Sequence, residues 1–384
     1  MHSDPFMLAL VAAVLGILLV GMASQRLKQP HVVGYLLAGV MLGPDGFALV
    51  TAPAIPERMG EIGVMLLLFF VGLEATPRQL FAHWRIALFG PLLQSAAALL
   101  LIWPLGLWLG WSLTQVLLFS FIITLSSTAV VLKTLADSGE LDSRLGRRLV
   151  GILLIQDLAI VPMLIILRYG AGTELQGFDP LLTLVGGVLL VLLLGWLYVR
   201  PRIEVPLPGW IRADPEMQVF AALSFALGLA LLTGLLNLST ALGAFVAGML
   251  IGASRDADWV HRHLEPFRVV FVAAFFVSIG MLVDLDRLLE HLGQILLLVL
   301  ALLGVNTSIN ALLFRLFGDT AKQSLYAGAL LAQAGEFSFV LAAFGREQQI
   351  IDESNYQLAV AVIALSLLLS PLWVQLIRRH TDPL

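Results

Sequence analysis

The chain has no cysteine, only 12% charged residues and just seven histidines in 384 positions. Without cysteine there is no disulfide, no thiolate metal site and no thiol redox chemistry, and that criterion leaves the compartment open. Soluble domains carry about 25% charged residues. A chain that is 59% hydrophobic, with a mean hydropathy of +0.94, cannot build a water-facing surface from so few. The net charge of -4 is too small to point to nucleic acid or to acidic partners. No phosphate-binding glycine loop, zinc-ligand pattern or Ser/His/Asp set occurs, so the residues point away from an enzyme and no cofactor is expected. The first apolar run, after Met1-His2-Ser3-Asp4-Pro5, has neither a basic leader nor a small-residue cleavage site, and it reads as a retained helix.

What is there is a succession of apolar runs of about 20 residues, the length that crosses a bilayer as a helix. An all-α membrane protein follows. Hydropathy places about 13 spans, near 6–24, 31–49, 61–75, 85–108, 114–135, 149–167, 180–199, 217–235, 238–254, 268–284, 290–314, 323–345 and 356–377. Basic residues collect on the cytoplasmic side of membrane proteins. With the N-terminus outside, only Arg58, Arg168, Arg287 and Arg346 of the 22 Lys and Arg fall in outer loops. One miscounted span would scramble that division, so the C-terminus is expected in the cytoplasm, with a bacterial inner membrane as the setting.

Residues 34–43 read GYLLAGVMLG and residues 243–252 read GAFVAGMLIG, sharing both outer glycines and a central Ala-Gly. A second pair, FFVGLE from Phe69 and FFVSIG from Phe275, lies at nearly the same offset. Either alone fits ordinary small-residue helix packing. Together, in spans of opposite direction, they indicate two inverted repeats, about 6–167 and 217–377, joined by a linker helix about 180–199, an arrangement typical of transporters.

The repeat pairs the span near 114–135 with the one near 323–345, and both carry a polar interruption. The first has Thr124-Leu-Ser126-Ser127-Thr128, the second Gln333-Ala-Gly335-Glu336-Phe-Ser338. Single hydroxyls in such helices commonly bond back to the preceding turn. Four polar residues in five positions suggest instead a discontinuous helix, whose free backbone groups and half-helix dipoles face an ion.

Gln156-Asp157 lies mid-span, with Pro162 about a turn beyond. A charged Asp at a helix centre costs about 2.5–3.5 kcal/mol on insertion scales. Lipid disfavours its charged form, so a small cation and a proton compete to neutralise one carboxylate. If the site alternates between the two sides, that competition is exchange. Gln156 offers a neutral carbonyl, and Ser126, Ser127 and Thr128 offer hydroxyls. Hard oxygens of this kind suit an alkali cation at Asp157. A structural Asp, hydrogen-bonded between helices or neutralised by Lys133, is the competing reading.

Among accessory residues, Glu336 is either a second proton site or a structural acid at a half-helix N-terminus. Glu74 either lines a cytoplasmic funnel or is a plain interfacial acid, and Lys133 can snorkel to the cytoplasmic face. No histidine lies at a span centre, which argues against a histidine proton relay.

The segments GYLLAGVMLGP, EIGVMLLLFFVGLE, TLSSTAVVLKTL, LLIQDLAIVP, ALGAFVAGML, FFVSIGM and QAGEFSFVL, in order and over almost the whole chain, resemble the membrane domain of Kef-type monovalent cation:proton antiporters. The resemblance implies the sodium/proton antiporter fold, with a core domain of crossed broken helices, a dimerisation domain and an elevator-like movement. It implies that Gln156-Asp157 is the ion site, and that the partners are a monovalent cation, the proton, the bilayer and a second copy of the chain. The Gln-Asp pair favours potassium, with sodium next.

Three departures qualify it. Many relatives hold Lys or Arg where this chain has Val305-Asn306-Thr307-Ser308, which bears on charge compensation and stoichiometry. The segment Arg255 to Pro266 does not reproduce the acidic loop of glutathione-gated members, so glutathione control is not expected. The residues after Arg378-Arg379-His380 leave no room for the nucleotide-binding regulatory domain of many members. A gated potassium efflux pathway and a sodium-coupled carrier for an organic anion are the competing functions.

Overall fold

A computed structural model describes residues 5–26, 31–49, 54–74, 84–141, 143–170, 214–236, 240–254, 257–281 and 283–381. The linker helix expected near 180–199 lies outside them but for residues 186, 189, 192 and 193. The described residues are helical throughout, in the order α1 (Pro5–Arg26), α2 (His31–Leu42), α3 (Ala54–Glu74), α4 (Trp84–Leu109), α5 (Leu113–Thr124), α6 (Thr128–Asp137), α7 (Arg144–Gly170), α8 (Pro215–Leu235), α9 (Thr240–Gly252), α10 (Ala257–Met281), α11 (Leu285–Glu290), α12 (Leu292–Leu316), α13 (Ala321–Leu330), α14 (Glu336–Glu347) and α15 (Glu353–Thr381).

Among these residues seven stretches are long and apolar enough to cross a membrane: Phe89–Leu109, Leu113–Leu135, Arg144–Gly170, Glu216–Leu235, His263–Met281, Leu292–Leu316 and Glu353–Arg379. Val14–Ser24, His31–Leu42 and Leu242–Gly252 are shorter apolar helices. Helix α2 ends at Leu42 and α3 starts at Ala54, each seven residues from the hydropathy reading, and two further differences are larger. The run near 323–345 is two helices, α13 and α14, neither of spanning length. Helix α10 starts at Ala257, well before the expected 268, because hydropathy windows miss a polar first turn. There Trp259 and His263, four residues apart, stack at 3.9 Å between ring centroids.

The chain divides into two compact units that interleave in sequence. One comprises Met1–Pro56, His83–Gly172 and Phe276–Leu384, the other Glu57–Ala82 and Thr173–Phe275. In the first, α6, α7, α12, α13 and α15 close on a core that includes Val131, Leu149, Ile152, Phe314, Tyr326 and Val374. In the second, α3, α8, α9 and α10 pack through Phe69, Phe70, Ala226, Ala247 and Leu264.

Close backbone approaches recur at a spacing of 208 to 209 residues. Within the first unit a Cβ on Gly39 of α2 would come 2.9 Å from the Cα of Gly280 of α10. Within the second, a Cβ on Gly248 of α9 would come 3.0 Å from the Cα of Gly72 of α3. Gly34 faces the Ser24 hydroxyl, and Gly243 faces that of Thr233. Two helix starts follow the same spacing. Ser112 caps α5 by accepting from the Gln115 N–H, and Thr320 caps α13 by accepting from the Gln323 N–H. These contacts equate Gly72 with Gly280, 208 residues on, whereas the FFV match in the sequence equates Phe69 with Phe275, two residues out of step. The helix crossings need glycine at 72 and 280, while the phenylalanines fill the cores beside them.

Candidate functional site

In hydrocarbon every backbone polar group must find its partner within the protein. A helix broken at mid-span exposes carbonyls at one end and N–H groups at the other. The first unit holds two such breaks, after Thr124 and after Leu330, and their polar groups are matched largely to each other and to side chains of α4, α7, α12 and α15.

The carbonyl end of α5 is fully engaged. Ile122 O accepts from the Ser338 hydroxyl at 2.7 Å and Ile123 O from Asn306 Nδ2 at 2.7 Å. Thr124 O accepts from Gln156 Nε2 at 3.0 Å, and Leu125 O accepts from the Gly335 N–H at 2.7 Å. At the end of α13, Leu331 O accepts from the Ser126 hydroxyl at 2.8 Å and Ala332 O from Asn306 Nδ2 at 3.0 Å. The breaks therefore cross. At the crossing a Cβ on Gly335 would lie 2.6 Å from Ser126 O, so only glycine fits.

On the N–H side, the Ser126 N–H donates to Gln156 Oε1 at 3.0 Å. The corresponding group 208 residues on, the Ala334 N–H, donates to the Ser366 hydroxyl of α15 at 3.2 Å. Each of these N–H groups is thus met by a side chain of the second helix after its break, α7 or α15.

Asp157, on α7 beside Gln156, accepts from the Thr128 hydroxyl at 2.9 Å. Thr128 is the first residue of α6, so the carboxylate meets a helix N-terminus, which favours negative charge. It is partly exposed whereas Gln156 is buried.

The structure pairs Ser126 with Gln156 and Thr128 with Asp157, two hydrogen bonds side by side between the first break and α7. Ser127 caps α6, its hydroxyl accepting from the Val130 N–H at 3.3 Å. The Thr124 hydroxyl bonds back to Ser120 O at 2.7 Å, as an ordinary helical threonine does. Gln333, in the second break, accepts from the Ser370 hydroxyl at 3.2 Å. Glu336 is the first residue of α14 and partly buried, and Lys133 is half-buried on α6. The side chain of Glu74 lies outside the described residues.

Residues that hydropathy passed over extend the contacts of Gln156. Gln156 Nε2 also donates to Gln94 Oε1 of α4 at 2.7 Å, and Gln94 Nε2 donates to Asn310 Oδ1 of α12. Asn310 Nδ2 donates to Asn306 O at 2.9 Å and to Leu331 O at 3.4 Å. The only signal in the sequence was the presence of amides in apolar runs, with Asn306 and Asn310 four apart on one helix face.

Beneath the site, Arg148 of α7 pairs with Asp319, both buried, donating to its two carboxylate oxygens at 2.6 and 2.5 Å. Its guanidinium also lies 5.2 Å from the centre of the Phe314 ring.

A family model described as sodium/hydrogen exchanger, transmembrane, matches residues 10–379. The chain is 37% identical over 379 residues to the iron transporter MagA of Paramagnetospirillum magneticum, covering 99% of this chain and 87% of that one. It is 32% identical over 363 residues to the glutathione-regulated potassium-efflux system protein KefC of Salmonella typhi, covering 92% of this chain but only 57% of that relative. Among solved structures, the sodium proton antiporter MjNhaP1 from Methanocaldococcus jannaschii superposes with a TM-score of 0.71 at 18% identity, covering 99% of this chain and all of that one, which establishes a shared fold.

Proposed function

Because the chain belongs to the sodium/hydrogen exchanger family, as an integral membrane cation:proton antiporter of the Kef type, we propose that Asp157 is the carboxylate at which cation and proton are exchanged, and that potassium is the preferred cation, with sodium next. The observation that carries this reading is the Thr128–Asp157 hydrogen bond at the crossing of two broken helices. There the carbonyls at the end of α5 are held by Ser338, Asn306, Gln156 and the Gly335 N–H, and the carboxylate sits at the N-terminus of α6 beside them.

The lone pairs of Ser126 and Thr128, and the second lone pair of the Gln156 carbonyl, supply neutral oxygens around it. One carboxylate among neutral oxygens suits a singly charged hard cation. Among the described residues no three His, Asp or Glu side chains converge as a metal site would need, so the iron named for MagA is not carried over. The potassium preference rests on the Gln-Asp pair and on the likeness to KefC. The charge distribution supports an outer N-terminus, a cytoplasmic C-terminus and a bacterial inner membrane, and the family likeness supports a homodimer.

The test is cation-driven proton movement in proteoliposomes with potassium, sodium or lithium, comparing parent and Asp157→Asn. The parent should respond most strongly to potassium, and the variant to none. A variant as fast as its parent removes the site, and faster exchange with sodium or lithium removes the preference.

A further inference from the structure

On the N–H side of the second break, the Ala334 N–H is met by one hydroxyl, that of Ser366. Capping the first involves four amides from three helices: Gln156, Gln94, Asn310 and Asn306. At a spacing of 208, Gln94 corresponds to Leu302, Asn306 to Ala98 and Asn310 to Ile102. The N–H side of a break is therefore met without such a chain at Ala334, and the side that carries Asp157 has more than that group needs. All four amides are buried, none more than 4% exposed, so no water substitutes for a missing partner.

The chain has a fixed polarity. Asn310 Nδ2 faces Leu331 O and Asn306 O, which can only accept. Asn310 therefore turns its Oδ1 to Gln94, Gln94 turns its Oε1 to Gln156, and Gln156, whose Nε2 is shared between Gln94 and Thr124 O, turns its Oε1 to the Ser126 N–H, which can only donate, so the amide chain reinforces the orientation the break itself sets. From this we infer that Gln94 and Asn310 are positioning residues for cation binding: they keep the Gln156 carbonyl, and not its NH2 group, on the side of the Ser126–Thr128 turn and Asp157. An inverted Gln156 would present two N–H donors where a cation needs oxygen. The inference rests on the reading of Asp157 as the exchange carboxylate.

Proteoliposomes carrying the full chain test it. Loss of a single net hydrogen bond is worth about a three- to tenfold change in binding, so Gln94→Met should raise the KM for potassium by that factor while leaving Vmax within about twofold. The potassium-to-sodium KM ratio should move with it. Gln94→Met combined with Asn310→Leu should raise KM no further than either alone, because a relay cut once is cut. Ser366→Ala, which removes the corresponding cap, should lower thermal stability and leave KM unchanged. Gln94→Asn keeps an amide but reaches only one of the two partners, so it should show the same rise in KM even where Gln94→Met does not reach the membrane.

An unchanged KM in Gln94→Asn and Gln94→Met, or independent multiplication of the two KM effects, overturns the relay. Asp157→Asn in the same vesicles separates the two claims. If it transports like the parent, the site reading fails. If it is inert while the Gln94 variants keep the parent KM, only the relay fails.

Discussion

Gly335 sits against Ser126 so closely that a single methyl group on the glycine would press within 2.6 Å of the serine carbonyl oxygen. Its φ of -93° is open to any residue, so the demand for glycine comes from space alone. Both neighbours are backbone and cannot swing aside, so Gly335→Ala should cost about 1–3 kcal/mol of stability, seen as a lower melting temperature in detergent, together with loss of transport. A Gly335→Ala protein that melts with its parent would show the crossing to be looser than described.

The Thr128 hydroxyl donates to Asp157. Thr128→Val keeps the shape and removes the donor, and should raise the cation KM by about three- to tenfold. Thr128→Ser should stay close to the parent. Equal effects of the two substitutions on KM would mean that the methyl group matters and the hydrogen bond does not.

Asn306 serves both breaks, Ile123 O on one side and Ala332 O on the other. Asn306→Leu strands two buried carbonyls at about 1–3 kcal/mol each. The expected outcome is a protein that inserts but aggregates at markedly lower temperature. The measurement is the fraction left monodisperse after heating, and a fraction equal to the parent's would refute the bridge.

The pair Arg148–Asp319 is buried, and removing one partner of such a pair costs about 3–5 kcal/mol, whereas replacing both with apolar residues is often neutral. Asp319→Asn should therefore be severely destabilised, and Arg148→Met with Asp319→Leu should recover most of the loss. Failure of the double variant to recover would show that the guanidinium is needed for more than its partner, its contact with the Phe314 ring being the alternative.

Much of this was legible in the residues. Polar runs inside apolar spans marked both breaks to within a few positions, since a transmembrane helix has no other reason to cluster Ser126, Ser127 and Thr128, or Gln333, Gly335 and Glu336. Asp157 stood out because an acid in lipid is costly. Gln94, Asn310 and Ser366 did not stand out, because one amide or hydroxyl per span is common, and its importance appears only when the helices bring it to another helix's broken end. The FFV letters at Phe69 and Phe275 lie 206 residues apart, two short of the spacing of Gly72 and Gly280. Matching letters followed core-filling phenylalanines, whereas the backbone contacts follow Gly72 and Gly280.

The Arg148–Asp319 pair has a mechanical consequence. Asp157 stands on the same helix as Arg148, and Asp319 lies in the short connection that joins α12 to α13. Sliding α7 alone would leave a guanidinium and a carboxylate bare in a place water does not reach. Helix α7, with Asp157 on it, and the connection between α12 and α13 are therefore tied into one piece.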